Sequence, residues 1–104
     1  MADYVLSNKA DGDLTEIYLY SHRTFGEAKA DAYFLSLCDC LQALADNPRL
    51  GRSAGVIRPG LFCHPHGRHI VFYMVEETGI LVVRVLHDSM DIPRHVERAE
   101  QGGD

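Results

Sequence analysis

The sequence has no hydrophobic run that approaches the roughly 20 residues of a membrane-spanning helix. It also has no basic N-terminal region followed by an apolar core, which is the pattern of a secretory signal peptide. Cysteine is scarce, and Cys38, Cys40 and Cys63 are odd in number and poorly spaced for a disulfide framework. We therefore expect a cytoplasmic protein that has no membrane partner.

Positive charge is also in short supply. Ten Lys and Arg stand against fifteen Asp and Glu, which gives a net charge of −5. Binding to nucleic acid through phosphate contacts requires a basic surface, so this total argues against direct sequence-specific DNA binding. The arginines are nevertheless concentrated, because residues 48–72 contain no acid and four bases: Arg49, Arg52, Arg58 and Arg68. One surface is expected to be locally positive.

The length and composition indicate one folded domain. A chain of 104 residues with 46% apolar and 24% charged residues can form a single hydrophobic core. We assign residues 1–98 to this domain and residues 99–104 to a frayed C-terminal tail.

The strongest structural signal is a β-hairpin. Two β-rich runs, residues 69–76 and 80–87, flank Glu77-Thr78-Gly79, where glycine supplies the positive φ of a short turn. Apolar residues occupy both faces of both strands, so a cover is expected on each side of the hairpin.

The other segments follow from hydrophobic period and from turn residues. Residues 3–7 alternate as a short strand, and Ser7 or Asn8 can cap a following helix. Helical spacing covers residues 9–23 and 27–46, with Gly26 placed for a left-handed cap between them. Residues 48–55 have loop composition, and residues 56–64 indicate an edge strand or two short pieces broken by Pro59-Gly60.

The predicted fold is α+β with the order β-α-α-β-β-β. Two helices joined by a short link form an antiparallel hairpin that covers one face of a mainly antiparallel sheet. Little chain remains to cover the other face. We therefore expect Phe72, Met74, Val83, Val85 or their alternates to lie under a partner protein.

The order of short motifs along the chain resembles that of one toxin family. The motifs are Tyr4-Val5-Leu6-Ser7, Asp13-Leu14-Thr15-Glu16-Ile17 followed by Tyr20, Phe25-Gly26, Asn47-Pro48-Arg49-Leu50-Gly51-Arg52, Arg58-Pro59-Gly60-Leu61, Gly67-Arg68-His69 before Phe72-Tyr73, and Arg84-Val85-Leu86-His87 followed by Met90-Asp91. Together they extend from Tyr4 to about Val96. The sequence resembles the ParE toxins, a branch of the RelE/ParE superfamily of type II toxin-antitoxin systems.

The resemblance implies a function through binding. ParE toxins that have been studied poison DNA gyrase and are held inactive by a ParD antitoxin, which would supply the missing cover of the sheet. In this sequence, the residues expected to contact the antitoxin are Arg49, Arg52, Arg58, Phe72, Met74, Val83, Arg84 and Val85. The residues that the resemblance implies as contacts with the target lie at and after the last strand. They are His87, Met90, Asp91 and Arg94.

Arg84 is the least ordinary of these residues because it interrupts an apolar strand. A guanidinium there must find a carboxylate or backbone carbonyls. Structural pairing with Asp91 or with an acid of the antitoxin, and direct contact with the target, remain equally open. The arginines of residues 49–68 are either a solvated face or the surface that meets an acidic partner.

The RelE branch of the superfamily offers a different function, cleavage of mRNA on the ribosome. By resemblance, His87 would then be the catalytic histidine, with Arg68 and Arg84 as its neighbours. Acid-base catalysis needs several such groups together, but Ile70 and Phe72 are apolar where a base would be expected. We therefore predict no catalytic residues, and a toxin that only titrates antitoxin is a third possibility.

A cluster of possible metal ligands, Cys63, His64, His66 and His69, precedes the hairpin. His64 and His66 would share one face of a strand, but Pro65 and Gly67 mark a turn and no second ligand group occurs elsewhere. We therefore predict neither a metal site nor a cofactor.

Overall fold

Two helices and five strands follow one another along residues 2–89, the part of the chain that the computed structural model describes. They are β1 (Asp3–Leu6), α1 (Asn8–Phe25), α2 (Glu27–Asp46), a 3-10 turn (Pro48–Leu50), β2 (Arg52–Ser53), β3 (Leu61–His66), β4 (His69–Glu76) and β5 (Gly79–His87). The strands form one sheet in the order β1-β5-β4-β3-β2, in which only β1 and β5 are parallel neighbours. The predicted α+β fold is confirmed, with β2 added to it. Neither helix has the length and apolar character needed to cross a membrane.

The junction between β1 and α1 depends on Ser7. Its hydroxyl accepts a hydrogen bond from the Ala10 amide (3.0 Å), which caps the helix as the sequence predicted. The same hydroxyl donates to the carbonyl of Val83 (2.7 Å), and the Ser7 amide donates to the carbonyl of Val82 (3.0 Å). This buried serine therefore fixes the start of α1 on β5.

The two helices meet at Gly26, which ends α1 and begins α2. Its φ of 91° is the positive value predicted for this position, whereas its ψ of 169° is extended. The prediction of a positive φ at Gly26 is therefore confirmed, but the prediction of a left-handed cap is wrong because of the extended ψ. The observed turn returns α2 along α1 as an antiparallel neighbour.

The larger hydrophobic core lies between the helices and the sheet. Leu37, Leu41 and Leu44 of α2 are completely buried and pack with Leu14 and Ile17 of α1. The sheet contributes Val71, Tyr73, Ile80, Val82 and Val85 to this core. Burial of each large apolar side chain stabilises the fold by about 1.5–3 kcal/mol.

A smaller core covers part of the opposite, helix-free face. Phe72 (2% exposed) and Val83 (4%) pack with Leu61 and Leu86, and residues 54–60 fold over them through Ala54 and Ile57. The structure thus corrects the expectation that Phe72 and Val83 are left for a partner to cover. The reason is that residues 54–60 are not a strand but a compact turn.

This turn is held by backbone hydrogen bonds. The carbonyl of Ala54 accepts from the amides of Ile57 (2.9 Å) and Arg58 (3.3 Å), and the Leu61 amide donates to the carbonyl of Arg58 (3.1 Å). The predicted strand over residues 56–64 therefore begins only at Leu61. The two residues of β2 pair only with Phe62 and Cys63, so the rest of β3 lies at the edge of the sheet. Pro65 falls in this edge segment, where its missing N–H costs no ladder hydrogen bond.

A β-bulge changes the alternation of β5. Phe72 is opposite Arg84 while the next residue of β4, Tyr73, is opposite Val82, so Val83 is an extra residue in the strand. Val85 consequently faces the helices and is 2% exposed, whereas Leu86 joins the smaller core. The prediction that Val85 shares a face with Val83 is therefore wrong, because a simple period of two does not cross the bulge.

Candidate functional site

The four arginines of the basic segment do not form one patch. Arg49 lies in the 3-10 turn and Arg52 in β2, and both are exposed. Arg58 is half-buried in the turn that leads to the start of β3. Arg68 is exposed at the other end of that strand, in the turn before β4. The predicted positive segment is therefore divided, with Arg49, Arg52 and Arg58 before or at the start of β3 and Arg68 after its end.

Arg84 is engaged within the chain. Its Nε lies 2.7 Å from Oδ2 of Asp13 and its second guanidinium nitrogen donates to Oδ1 at 2.8 Å, which is a bidentate pair. The Val85 amide also donates to Asp13 (3.0 Å), on the part of β5 that extends beyond β1. Both side chains of the pair are largely buried, at 12% and 15% exposure. Structural pairing was one expected role of Arg84, and among residues 2–89 its carboxylate partner is Asp13. The suggested partner Asp91 lies outside the described residues.

A short row of accessible apolar residues crosses three strands on the helix-free face. Val5 is opposite Leu81 and Leu81 is opposite Met74 in the register of the sheet. Val5 is 58% exposed, while Leu81 and Met74 are half-buried. Of the four apolar residues predicted to contact an antitoxin, only Met74 therefore presents appreciable surface.

Three histidines form a cluster at the opposite end of the sheet. His66, His69 and His87 are cross-strand neighbours on β3, β4 and β5, and the rings of His69 and His87 meet edge to face with centroids 5.5 Å apart. From α2, the Tyr33 hydroxyl lies 2.7 Å from Nδ1 of His69 and donates to the His66 carbonyl at 3.2 Å. Ser36 Oγ lies 2.9 Å from Nε2 of His66.

Burial lowers the pKa of both inner histidines. For His66 the neighbouring His64 adds to this effect, and for His69 the neighbouring His87 adds to it while Asp88 opposes it. His87 is more exposed and its Nδ1 accepts from the Ser89 amide (3.2 Å). The lowered pKa values of His66 and His69 favour neutral imidazoles, and the contacts of these residues with Ser36 and Tyr33 fasten α2 to the turn between β3 and β4.

The residues of the nuclease alternative are only partly brought together. His87 belongs to the histidine cluster, and the Arg68 carbonyl is near it because it accepts from the Asp88 amide (2.9 Å). The Arg84 guanidinium instead pairs with Asp13 of α1. The other three predicted target contacts, Met90, Asp91 and Arg94, lie outside the described residues.

The candidate metal ligands are also divided. His64 and His66 are opposite Val71 and His69 and share one face of β3, as predicted, whereas Cys63 is opposite Phe72 on the other face. Within residues 2–89, no three His, Cys, Asp or Glu side chains are placed so that they could hold a metal ion.

The sequence did not reveal an apolar groove beside the 3-10 turn. This groove has a volume of about 390 Å³ and is lined by Pro48, Arg49, Phe62 and Val75. Its residues come from three separate elements and were interpreted as loop, broken strand and hairpin. Phe62 is opposite Tyr73 and Val75 is opposite Ile80, so both lie on the helix side of the sheet, which only the register of the strands shows.

The arrangement of two helices on a five-stranded mixed sheet defines the class of the protein, a RelE/ParE-like α+β fold. The model of the family described as "ParE toxin of type II toxin-antitoxin system, parDE" matches residues 4–92. The chain therefore belongs to the ParE toxin family.

Individual relatives agree with this assignment. The chain is 38% identical over 94 residues to "Toxin ParE1" of Mycobacterium tuberculosis, a match that covers 89% of this chain and 96% of the relative. It is 33% identical over 96 residues to "Toxin ParE1" of Caulobacter vibrioides, which covers 92% and 99% of the two chains. The solved structure described as "Chromosomal ParDE TA system from P. aeruginosa" has a TM-score of 0.70 at 19% identity, covering 84% of this chain and 96% of that one. At this identity the structural match establishes the shared fold.

Proposed function

We propose that this ParE toxin inhibits DNA gyrase by binding it, and that a ParD-type antitoxin neutralises the toxin by occupying part of its surface. Membership of the ParE family supports the toxin role and the antitoxin partner. Gyrase is the target implied by resemblance to the ParE toxins. A cytoplasmic location follows, because gyrase acts on the chromosome.

The observation that carries binding over covalent chemistry is the state of Arg84. An mRNA nuclease on this fold would need a cation beside its catalytic histidine to stabilise the charged phosphate. Arg84 is instead neutralised by Asp13 through two hydrogen bonds. This pairing favours a structural role for Arg84 and, with it, a toxin that is not an enzyme.

The proposed surfaces are distinct. We place the antitoxin on Arg49, Arg52 and Arg58, near the start of β3, and on Met74 of the helix-free face. The target contacts begin at His87 and continue through Met90, Asp91 and Arg94. Complementary charge on an acidic antitoxin segment would speed association with the arginines.

The test is a cleavage assay with purified gyrase, supercoiled DNA and this protein, run beside a translation reaction that contains ribosomes and mRNA. We expect linear DNA after protease treatment, its loss when the antitoxin is added, and intact mRNA. Cleaved mRNA with unaffected DNA would instead support the nuclease function. If both substrates stay intact, the toxin is inactive and only titrates antitoxin.

A further inference from the structure

The groove lined by Pro48, Arg49, Phe62 and Val75 is an exposed apolar feature of which the proposed contacts above include only Arg49. Val75 is 48% exposed near the end of β4, which is unusual for a valine in a central strand. Phe62 is only partly buried and stacks on Tyr73 with ring centroids 5.8 Å apart. The groove thus offers two apolar side chains as a floor and the 3-10 turn as a wall.

The wall of the groove is fixed in position. The Tyr73 hydroxyl donates to the carbonyl of Pro48 (2.6 Å), and the Leu50 amide donates to the carbonyl of Asn47 (3.0 Å). Gly51 lies so close to the Tyr73 hydroxyl that a Cβ there would collide with it and with the Cys63 carbonyl. Because these contacts fix the turn against Tyr73, the groove exists before any partner arrives and its ordering cost is small.

Opposite charges lie in the two depressions that meet at Pro48. Arg49 forms part of the wall at one end and is exposed. On the other side of Pro48 lies a second depression of about 350 Å³ that includes Ala2, Ala45, Glu76 and Glu77. The last turn of α2 beside it contains Asp46 and no basic residue, so the negative end of the helix dipole adds to this charge.

We propose that this groove is a docking site for one segment of the ParD-type antitoxin. That segment inserts a single apolar side chain against Phe62 and Val75, places a carboxylate on Arg49 and directs a lysine or arginine towards Glu76 and Glu77. The apolar anchor supplies affinity, and the two charge pairs fix the direction in which the segment runs. This inference rests on the proposed function in one respect, namely that an antitoxin is the partner.

The test measures binding of the antitoxin encoded in the same operon by titration calorimetry. Three groove variants, Val75→Glu, Arg49→Glu and Glu77→Lys, are compared with the wild-type chain. The first two should raise Kd by about tenfold or more, as expected for groups at the centre of an interface. Glu77→Lys should raise Kd by a smaller factor, because exposed charge pairs contribute less.

Matched controls separate the groove from general effects. Leu35→Glu introduces the same charge on an exposed apolar residue of α2, and Arg68→Glu reverses an exposed arginine at the far end of β3. Both should leave Kd within about twofold, as expected for surface substitutions. Val75→Thr keeps the β-branched shape and should still weaken binding, which covers the case in which Val75→Glu fails to fold. Reversing the antitoxin acid that meets Arg49 should restore binding to Arg49→Glu.

Each outcome has one meaning. Unchanged Kd for Val75→Thr and Arg49→Glu would overturn the docking site, as would equal losses for the control variants. If the wild-type chain binds no antitoxin, the partner assignment fails and the docking site fails with it. If groove variants lose antitoxin while gyrase is unaffected by the wild-type toxin, the docking site stands and the gyrase assignment fails. Loss of gyrase inhibition with unchanged antitoxin binding would assign the groove to the target instead.

Discussion

Asp13 does more for this fold than its place on a solvent-facing helix suggests. Its carboxylate accepts from the Arg84 guanidinium and from the Val85 amide, and thereby completes the hydrogen bonding of β5 where β1 ends. When one member of so buried an Arg-carboxylate pair is removed, the fold is strongly destabilised. The sequence offered no signal for the pair, since its members are 71 residues apart.

The first prediction concerns this pair. Asp13→Asn should lower the free energy of unfolding by about 1–3 kcal/mol, because the amide cannot accept all three hydrogen bonds and removes the negative charge that faces Arg84. Glu16→Gln removes the same charge from an exposed position of α1 and should change stability by less than about 0.5 kcal/mol. Urea unfolding of both variants measures the difference, and equal values would show that the pair contributes nothing.

The second prediction concerns the histidine cluster. The pKa values of His66 and His69 are lowered in the folded state from 6.5, so the unfolded chain binds more protons just below that pH. The stability they contribute is therefore complete above about pH 6.5 and is lost as pH falls through their folded pKa values. A double variant, His66→Asn with His69→Asn, should flatten the dependence of unfolding free energy on pH between 7 and 5, compared with the control His22→Asn. A slope unchanged in the double variant would contradict this.

At the scale of elements, the hairpin of β4 and β5 was predictable because its turn chemistry and its apolar runs agree. The bulge at Val83 was not predictable, because one extra residue in a uniformly apolar strand leaves no trace in the pattern. The same holds for the cover of the helix-free face. Ala54 and Ile57 are unremarkable loop residues until the turn brings them onto Phe72.

The third prediction uses Ser7, which joins α1 to β5. Ser7→Ala removes the helix cap and the hydrogen bond to the Val83 carbonyl, which leaves that carbonyl short of a donor. The expected loss of stability is about 1–3 kcal/mol, measured by urea unfolding. Asn8→Ala, at an exposed neighbouring position, is the control. A loss for Ser7→Ala no larger than for Asn8→Ala would mean that the junction is held by packing alone.

The fourth prediction contrasts two glycines. Gly12 lies inside α1 with no atom within 4 Å of an added Cβ, so Gly12→Ala should raise stability by about 0.5–1 kcal/mol. Gly79 lies against the backbone of Asp3, where an added Cβ would collide with the carbonyl oxygen. Gly79→Ala should therefore weaken the pairing of β1 with β5 and lower the melting temperature. Similar effects of the two substitutions would contradict the close approach of these strands.

At the scale of the whole molecule, the fold presents three separate surface features. The groove beside the 3-10 turn and the row of Val5, Leu81 and Met74 lie on opposite faces of the sheet, and the histidine cluster lies at its far end. Patterning of single segments could not predict the groove, because its lining residues come from the 3-10 turn, β3 and β4.

The central claim is that this toxin acts by binding gyrase and not by turnover. The most direct measurement is a titration of gyrase supercoiling activity with toxin present below the gyrase concentration. A binding inhibitor should leave a fraction of gyrase active that is set by the toxin-to-gyrase ratio and does not fall with longer incubation. Progressive loss of activity at that ratio would indicate catalysis, and full activity with excess toxin would remove gyrase as the target.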